Sequence, residues 1–373
     1  MRNRIPGTIR HFLLLLMASA VSFTAQGQEY KYHEIHTFQN NGTDPSRPTS
    51  LIIDPAGNLY GTSFYGGKDN VGTVFKLTQQ GVLTELYSFN ANTGGESPSS
   101  LVRDSKGNLY GATPFIRGNF DYNSTFFRLT PETNGGYAFH TMWAGSWISP
   151  VGITIDPSKN IYGVINPYSG GSYGSCGSCL FKLGGGSQWT DLWDFTYTNF
   201  NPLGSLVIDK SGNVYGTIGG DGGSSSWGYV FKWSPTSGYS VIHSFDGTDG
   251  EYPNGLALDG LGNLYGTTSI GGLNGTGTVF EITMGGVFST LYNFCMLSGC
   301  VDGAEPSGAI TLDAAGNVYG TTYYYNGVFK IKPGVGEKMI YAPPSGVGGY
   351  LTIDKAGNLY GVDSGIYELT PVK

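Results

Sequence analysis

One nine-residue phrase, met first as Asp54-Pro55-Ala56-Gly57-Asn58-Leu59-Tyr60-Gly61-Thr62, constrains this chain more than any other feature. It returns six times: DSKGNLYGA from Asp104, DPSKNIYGV from Asp156, DKSGNVYGT from Asp209, DGLGNLYGT from Asp259, DAAGNVYGT from Asp313 and DKAGNLYGV from Asp354. Its Asn positions lie 50, 52, 53, 50, 54 and 41 residues apart. A period of about 50 residues marks a repeat architecture, in which each unit buries its core against its neighbours.

The first unit reads as four strands. Ser50 to Asp54 is a short apolar strand, and Asp54-Pro55-Ala56-Gly57 is a turn with Asp, Pro and Gly at the positions a type I turn favours. Asn58 to Ser63 returns as a second strand. The alternating run Gly72-Thr73-Val74-Phe75-Lys76-Leu77-Thr78 makes a third, and Val82 to Phe89 a fourth. The third strand is echoed as GTVFEIT from Gly277 and GYVFKWS from Gly228, the fourth as LYNF from Leu291 and IHSF from Ile242. Four antiparallel strands per unit, with seven units and no helical periodicity, predict an all-β chain: a seven-bladed β-propeller of four-stranded blades.

The seventh unit stops after its third strand, Gly365 to Thr370, while residues 31–38 form an orphan strand that matches LTELYSF. The N-terminal strand is therefore expected to pair with the last blade and close the ring, leaving no free sheet edge.

Arg2, Arg4 and Arg10, the apolar run Phe12 to Phe23 and the small-residue exit Ala25-Gln26-Gly27 predict a secretory signal peptide over 1–27, with the propeller domain over 28–373. Without that segment the formal charge moves from −7 to −10, so neither nucleic acid nor an anionic membrane is an expected partner. With Tyr 26 and Phe 20, the many glycines mark an ordered, turn-rich protein rather than a disordered one. Export to an oxidising compartment favours disulfides within the close pairs Cys176 with Cys179 and Cys295 with Cys300. A shared four-thiolate zinc site is disfavoured, because units three and five are not neighbours.

The ordered sub-motifs GNLYGTT, Gly-rich loop, GTVFKLT, LYSF and DGxxP resemble the GloVer tandem repeat of exported bacterial "choice-of-anchor" proteins, over essentially all of the mature chain. The resemblance implies a propeller and an extracellular or cell-surface location. It brings no assigned biochemical role. The group's name implies that many members carry a C-terminal surface anchor, a pattern from which this chain is read to depart, since the residues up to Lys373 do not read as a sorting tail.

Strand order places the short, uniform A–B and C–D turns on one side of the ring and the long, variable B–C and D–A loops on the other, where function is expected. The variable side is rich in aromatics. Phe64 and Tyr65 come from unit one, and Phe115, Arg117, Phe120 and Tyr122 from unit two. Trp143 and Trp147 precede unit three, Tyr168 and Tyr173 follow, and Trp227, Tyr323, Tyr324 and Tyr325 complete the set. Rings among Gly, Ser and Asn suit the faces of sugars or an apolar patch of a partner protein, though rings also serve simply to cover blade edges.

Asp246, Asp249 and Glu251 can present oxygens to calcium, the one cofactor with a candidate site, although Asp-Gly runs are ordinary turn material. No catalytic residue is singled out: there is no GxSxG elbow, HExxH or phosphate loop, and His33, His36, His140 and His243 fall in outer-strand phrases. The expected function is a secreted or surface binding module for a glycan or protein, acting as a monomer. The alternatives are a propeller lyase, lactonase or glycosidase using acids at the channel mouth, and a structural envelope protein.

Overall fold

The computed structural model describes residues 30–39, 41–90, 95–114, 123–146, 148–167, 178–185, 187–195, 202–220, 227–324, 327–342 and 349–372. Seven four-stranded antiparallel sheets are arranged as the blades of a propeller. In blade one the strands are A (Ser46–Ile53), B (Leu59–Tyr65), C (Thr73–Leu77) and D (Leu83–Ser88). The A strands of consecutive blades touch one another all the way round, the last meeting the first, so A is innermost and D outermost.

The ring closes as the orphan strand required. Tyr30–Thr37 pairs antiparallel with the last C strand, Gly365–Pro371, and supplies strand D of blade seven. Every blade is thus completed, and no inner edge is left to pair with another chain.

The cores lie between blades rather than within them. Tyr60, Val74 and Phe89 of blade one pack on Leu101, Leu109, Phe127 and Leu129 of blade two. Tyr360, Val362 and Ile366 of blade seven likewise pack on Leu51, Leu59, Phe75 and Leu77 of blade one. Each sheet needs a neighbour on both faces, which is why a lone unit cannot stand by itself.

Candidate functional site

The repeated phrase builds a local hydrogen-bonded hub. Asp54 Oδ1 accepts the backbone N–H groups of Ala56 and Asn58, each at 2.9 Å. Its Oδ2 accepts the Asn58 side-chain amide at 3.0 Å and the Tyr60 hydroxyl at 3.2 Å. The backbone closes the turn through Gly57 N–H to the Asp54 carbonyl, with Gly57 at φ 83°. Burial alone would raise the Asp54 carboxyl, but these donors outweigh it and hold the group below its usual range. The same outcome holds at Asp104, Asp209 and Asp313. These acids serve the turns and have little capacity left for a ligand. A space of about 830 Å³ on this turn face, between blades five and six, is lined by Asp259 and Asp313, and both carboxylates are bonded to their own turns.

The loop face differs. Tyr323 and Tyr324 are 63% and 53% exposed and stand edge to face at 5.1 Å, and Tyr65 is 39% exposed. Phe64, half-buried, packs edge to face on Tyr65 at 4.7 Å. Trp227 is half-buried, with its carbonyl accepting the Tyr252 N–H at 3.0 Å and its ring beside Gly247. Trp143 lies within strand D of blade two (Tyr137–Ser146) instead of on the connection after it, and its ring meets Trp189 of blade three at 4.9 Å. The run Tyr137–Ser146 extends further than the other D strands because its partner Asn123–Pro131 is longer than the other C strands. Phe115, Arg117, Phe120, Tyr122, Trp147, Tyr168, Tyr173, Tyr325 and Cys176 lie outside the described residues.

Asp246 and Asp249 sit in the connection before blade five, and Glu251 opens its strand A, Glu251–Leu258. Asp246 Oδ1 accepts the Thr248 N–H at 2.9 Å and its hydroxyl at 2.6 Å, and Asp249 Oδ2 lies 2.8 Å from His243 Nε2. Burial raises the Glu251 carboxyl above its ordinary value. Among the described residues no three His, Cys, Asp or Glu side chains gather as a metal site. Cys295 and Cys300 form a disulfide, and Cys179 is disulfide-bonded as well.

A cleft of about 300 Å³ opens on the loop face at the seam between blades seven and one. Arg47, Tyr65, Phe38 and Pro48 line it from the N-terminal side, and Asp363 and Ser364 from blade seven. Tyr65 was legible in the sequence as a loop aromatic. Arg47 and Asp363 were not, because nothing in unit one alone says that it meets unit seven. The one available signal was a cation before Pro48, where other units carry Ser97, Tyr252 and Glu305 before their prolines.

Solved structures share the architecture. Virginiamycin B lyase from Staphylococcus aureus superposes with a TM-score of 0.64 at 14% identity, covering 92% of this chain and 100% of that one. The PQQ-bound aldose sugar dehydrogenase of Streptomyces coelicolor gives 0.51 at 13% identity, covering 92% and 99%. At such identities the likeness is one of fold alone. No curated protein matches the chain. Among the described residues no helix is long and apolar enough to cross a membrane. The Gloeobacter/Verrucomicrobia repeat matches residues 20–177 and 149–368, and with seven repeats closed into a propeller the chain belongs to that family.

Proposed function

We propose that this chain is an exported binding module that takes up a glycan on its loop face. The observation that carries the reading is the contrast between the two faces. The turn face spends its acids on its own amides, while the loop face leaves Tyr65 exposed at a small cleft and Tyr323 and Tyr324 exposed in blade six. Exposed rings near a concave, partly polar surface are the features by which proteins hold the C–H faces of sugars.

Enzymes occur among proteins of this fold, a lyase and a dehydrogenase included. The described histidines of this chain all lie on outer strands, remote from the innermost A strands where a propeller's channel opens. That placement supports binding over acid–base catalysis.

The test is a glycan array probed with the chain from residue 28 onward, with and without calcium. Binding to at least one glycan is expected, weakened about tenfold or more in Tyr65→Ala or in the Tyr323→Ala, Tyr324→Ala double variant. Silence across the array, or turnover of a sugar substrate unaffected by these changes, would overturn the reading.

A further inference from the structure

Three joints between blades are built alike on the loop face. The N–H of the residue before a proline donates to the preceding blade: Ser97 to the Val71 carbonyl at 2.7 Å, Tyr252 to Trp227 at 3.0 Å and Glu305 to Thr276 at 2.8 Å. The proline that follows then packs on the glycine that opens strand C of that blade. A methyl on Gly72 would lie 2.7 Å from Pro98 Cδ, and methyls on Gly228 and Gly277 would lie 2.6 Å from Pro253 and Pro306. The donors adopt left-handed backbone, with φ 50° at Ser97 and 53° at both Tyr252 and Glu305.

The seam departs from this plan. Arg47 precedes Pro48 and shares the left-handed conformation, at φ 52°. Yet among the described residues no such bond runs from Arg47 to Ser364, and Gly365 has His36 and Thr37 as its nearest neighbours. The cleft stands where the other joints are filled. Arg47 therefore carries backbone strain without the hydrogen bond that accompanies it elsewhere, and strain of this kind gathers at ligand clamps.

The Arg47 side chain is held ready instead. Its guanidinium lies 5.5 Å from the centre of the Phe64 ring and 5.9 Å from that of Tyr65, and no acid among the described residues pairs with it. Asp363, across the cleft, is occupied: Oδ1 accepts the Gly365 N–H at 2.9 Å and Oδ2 the Tyr32 hydroxyl at 3.4 Å. Its fixed charge disfavours a dianion nearby, so one guanidinium here suits a monoanion. The planar fork of Arg matches a carboxylate with two parallel hydrogen bonds. About 300 Å³ lies at the small end of ligand pockets, room for one sugar residue rather than a peptide.

We propose that the seam cleft is a subsite for a carboxylate-bearing sugar, a uronic acid residue of a glycan, with Arg47 gripping the carboxylate and the Tyr65 ring taking the sugar face. This rests on the glycan-binding reading above.

Calorimetric titration of the chain with galacturonate, with neutral galactose and with galactose 6-sulfate tests it. Galacturonate is expected to bind about tenfold or more tighter than the neutral sugar. Arg47→Gly should erase that preference while melting no lower than the parent, since glycine relieves the left-handed backbone. Leu261→Ala, exposed on the opposite, turn face, should leave the preference intact. Equal affinity for neutral sugar, tighter binding of the sulfate, or a preference that survives Arg47→Gly would each overturn the subsite and leave the glycan module standing. No binding by any sugar, here and on the array, would overturn both.

Discussion

At the scale of single residues, the repeated phrase is two devices joined by one strand. The Asp–Asn–Tyr hub ties the turn to strand B, and the Lys of the VFKL run lies across from the hub tyrosine. Lys76 sits 5.8 Å from the centre of the Tyr60 ring, and Lys330 sits 5.5 Å from that of Tyr319. In blade five that position is Glu281, and the Tyr265 hydroxyl turns to it at 3.0 Å instead of to Asp259. Lys159, which replaces the turn glycine in unit three, takes φ 68° and extends its amine to Asp104 of the preceding blade at 3.2 Å. A strained backbone thus comes with an interblade ion pair.

The second device is the Tyr-Gly pair. A methyl on Gly61 would strike the Phe75 ring and lie 2.8 Å from the Ser50 carbonyl oxygen. The glycine of the phrase and the phenylalanine of strand C are two halves of one contact. Gly61→Ala should therefore destabilise the fold by about 1–3 kcal/mol through overpacking, read as a lower midpoint in guanidinium unfolding. An unchanged midpoint would show that the sheet moves aside freely.

At the scale of elements, the outer strands are joined by ring stacking. Tyr87 stacks on Phe139 at 4.1 Å, Trp193 on Tyr239 at 4.2 Å and His243 on Phe288 at 3.7 Å, each ring reaching the D strand of the next blade. The register position of Phe139, Tyr239 and Phe288 is filled in blade six by Glu337. There the ring opposite, Tyr292, donates its hydroxyl to Asp302 at 2.7 Å, and Glu337 Oε1 is buried without a hydrogen-bond partner.

Burial, helped by the Asp302 charge, pushes the Glu337 carboxyl up to about 8. A carboxyl raised in the folded state binds its proton more tightly there than in the unfolded chain. Its contribution is present at low pH and is lost as pH rises from about 4.5 towards 8. The depressed hub aspartates act in the opposite sense: their contribution is present above the ordinary carboxylate range and is lost on acidification. Glu337→Gln should flatten the decline between pH 5 and 8, and Glu337→Phe should restore the stack and stabilise at pH 8 by about 1–3 kcal/mol. A parent protein whose melting temperature is level across that window would refute the assignment.

At the scale of the whole molecule, closure decides whether the other contacts form at all. Blade seven takes its outer strand from the other end of the chain, and its core with blade one includes Ile35 and Phe38 at the rim. Removing residues 28–40 should leave a sheet edge and an uncovered core, seen as loss of soluble protein or as concentration-dependent association. A monomeric truncated chain that melts like the parent would show that the closing strand is dispensable.

The sequence by itself determined the blade count, the strand order, the closing strand and which face carries the variable loops. These follow from local patterns written seven times, since turn chemistry and strand alternation act within a few residues. It also showed Tyr65, Tyr323 and Tyr324 as loop aromatics, but not which of the loop rings stay exposed. Trp143 and Trp227 are packed because of what the adjoining blade brings to them. Only the tertiary structure decided that Arg47 faces Asp363 across an unfilled joint, and that Glu337 stands where a ring should stack. Both depend on residues in different blades meeting in space, and a seam between the first and last repeats has no signature within either one.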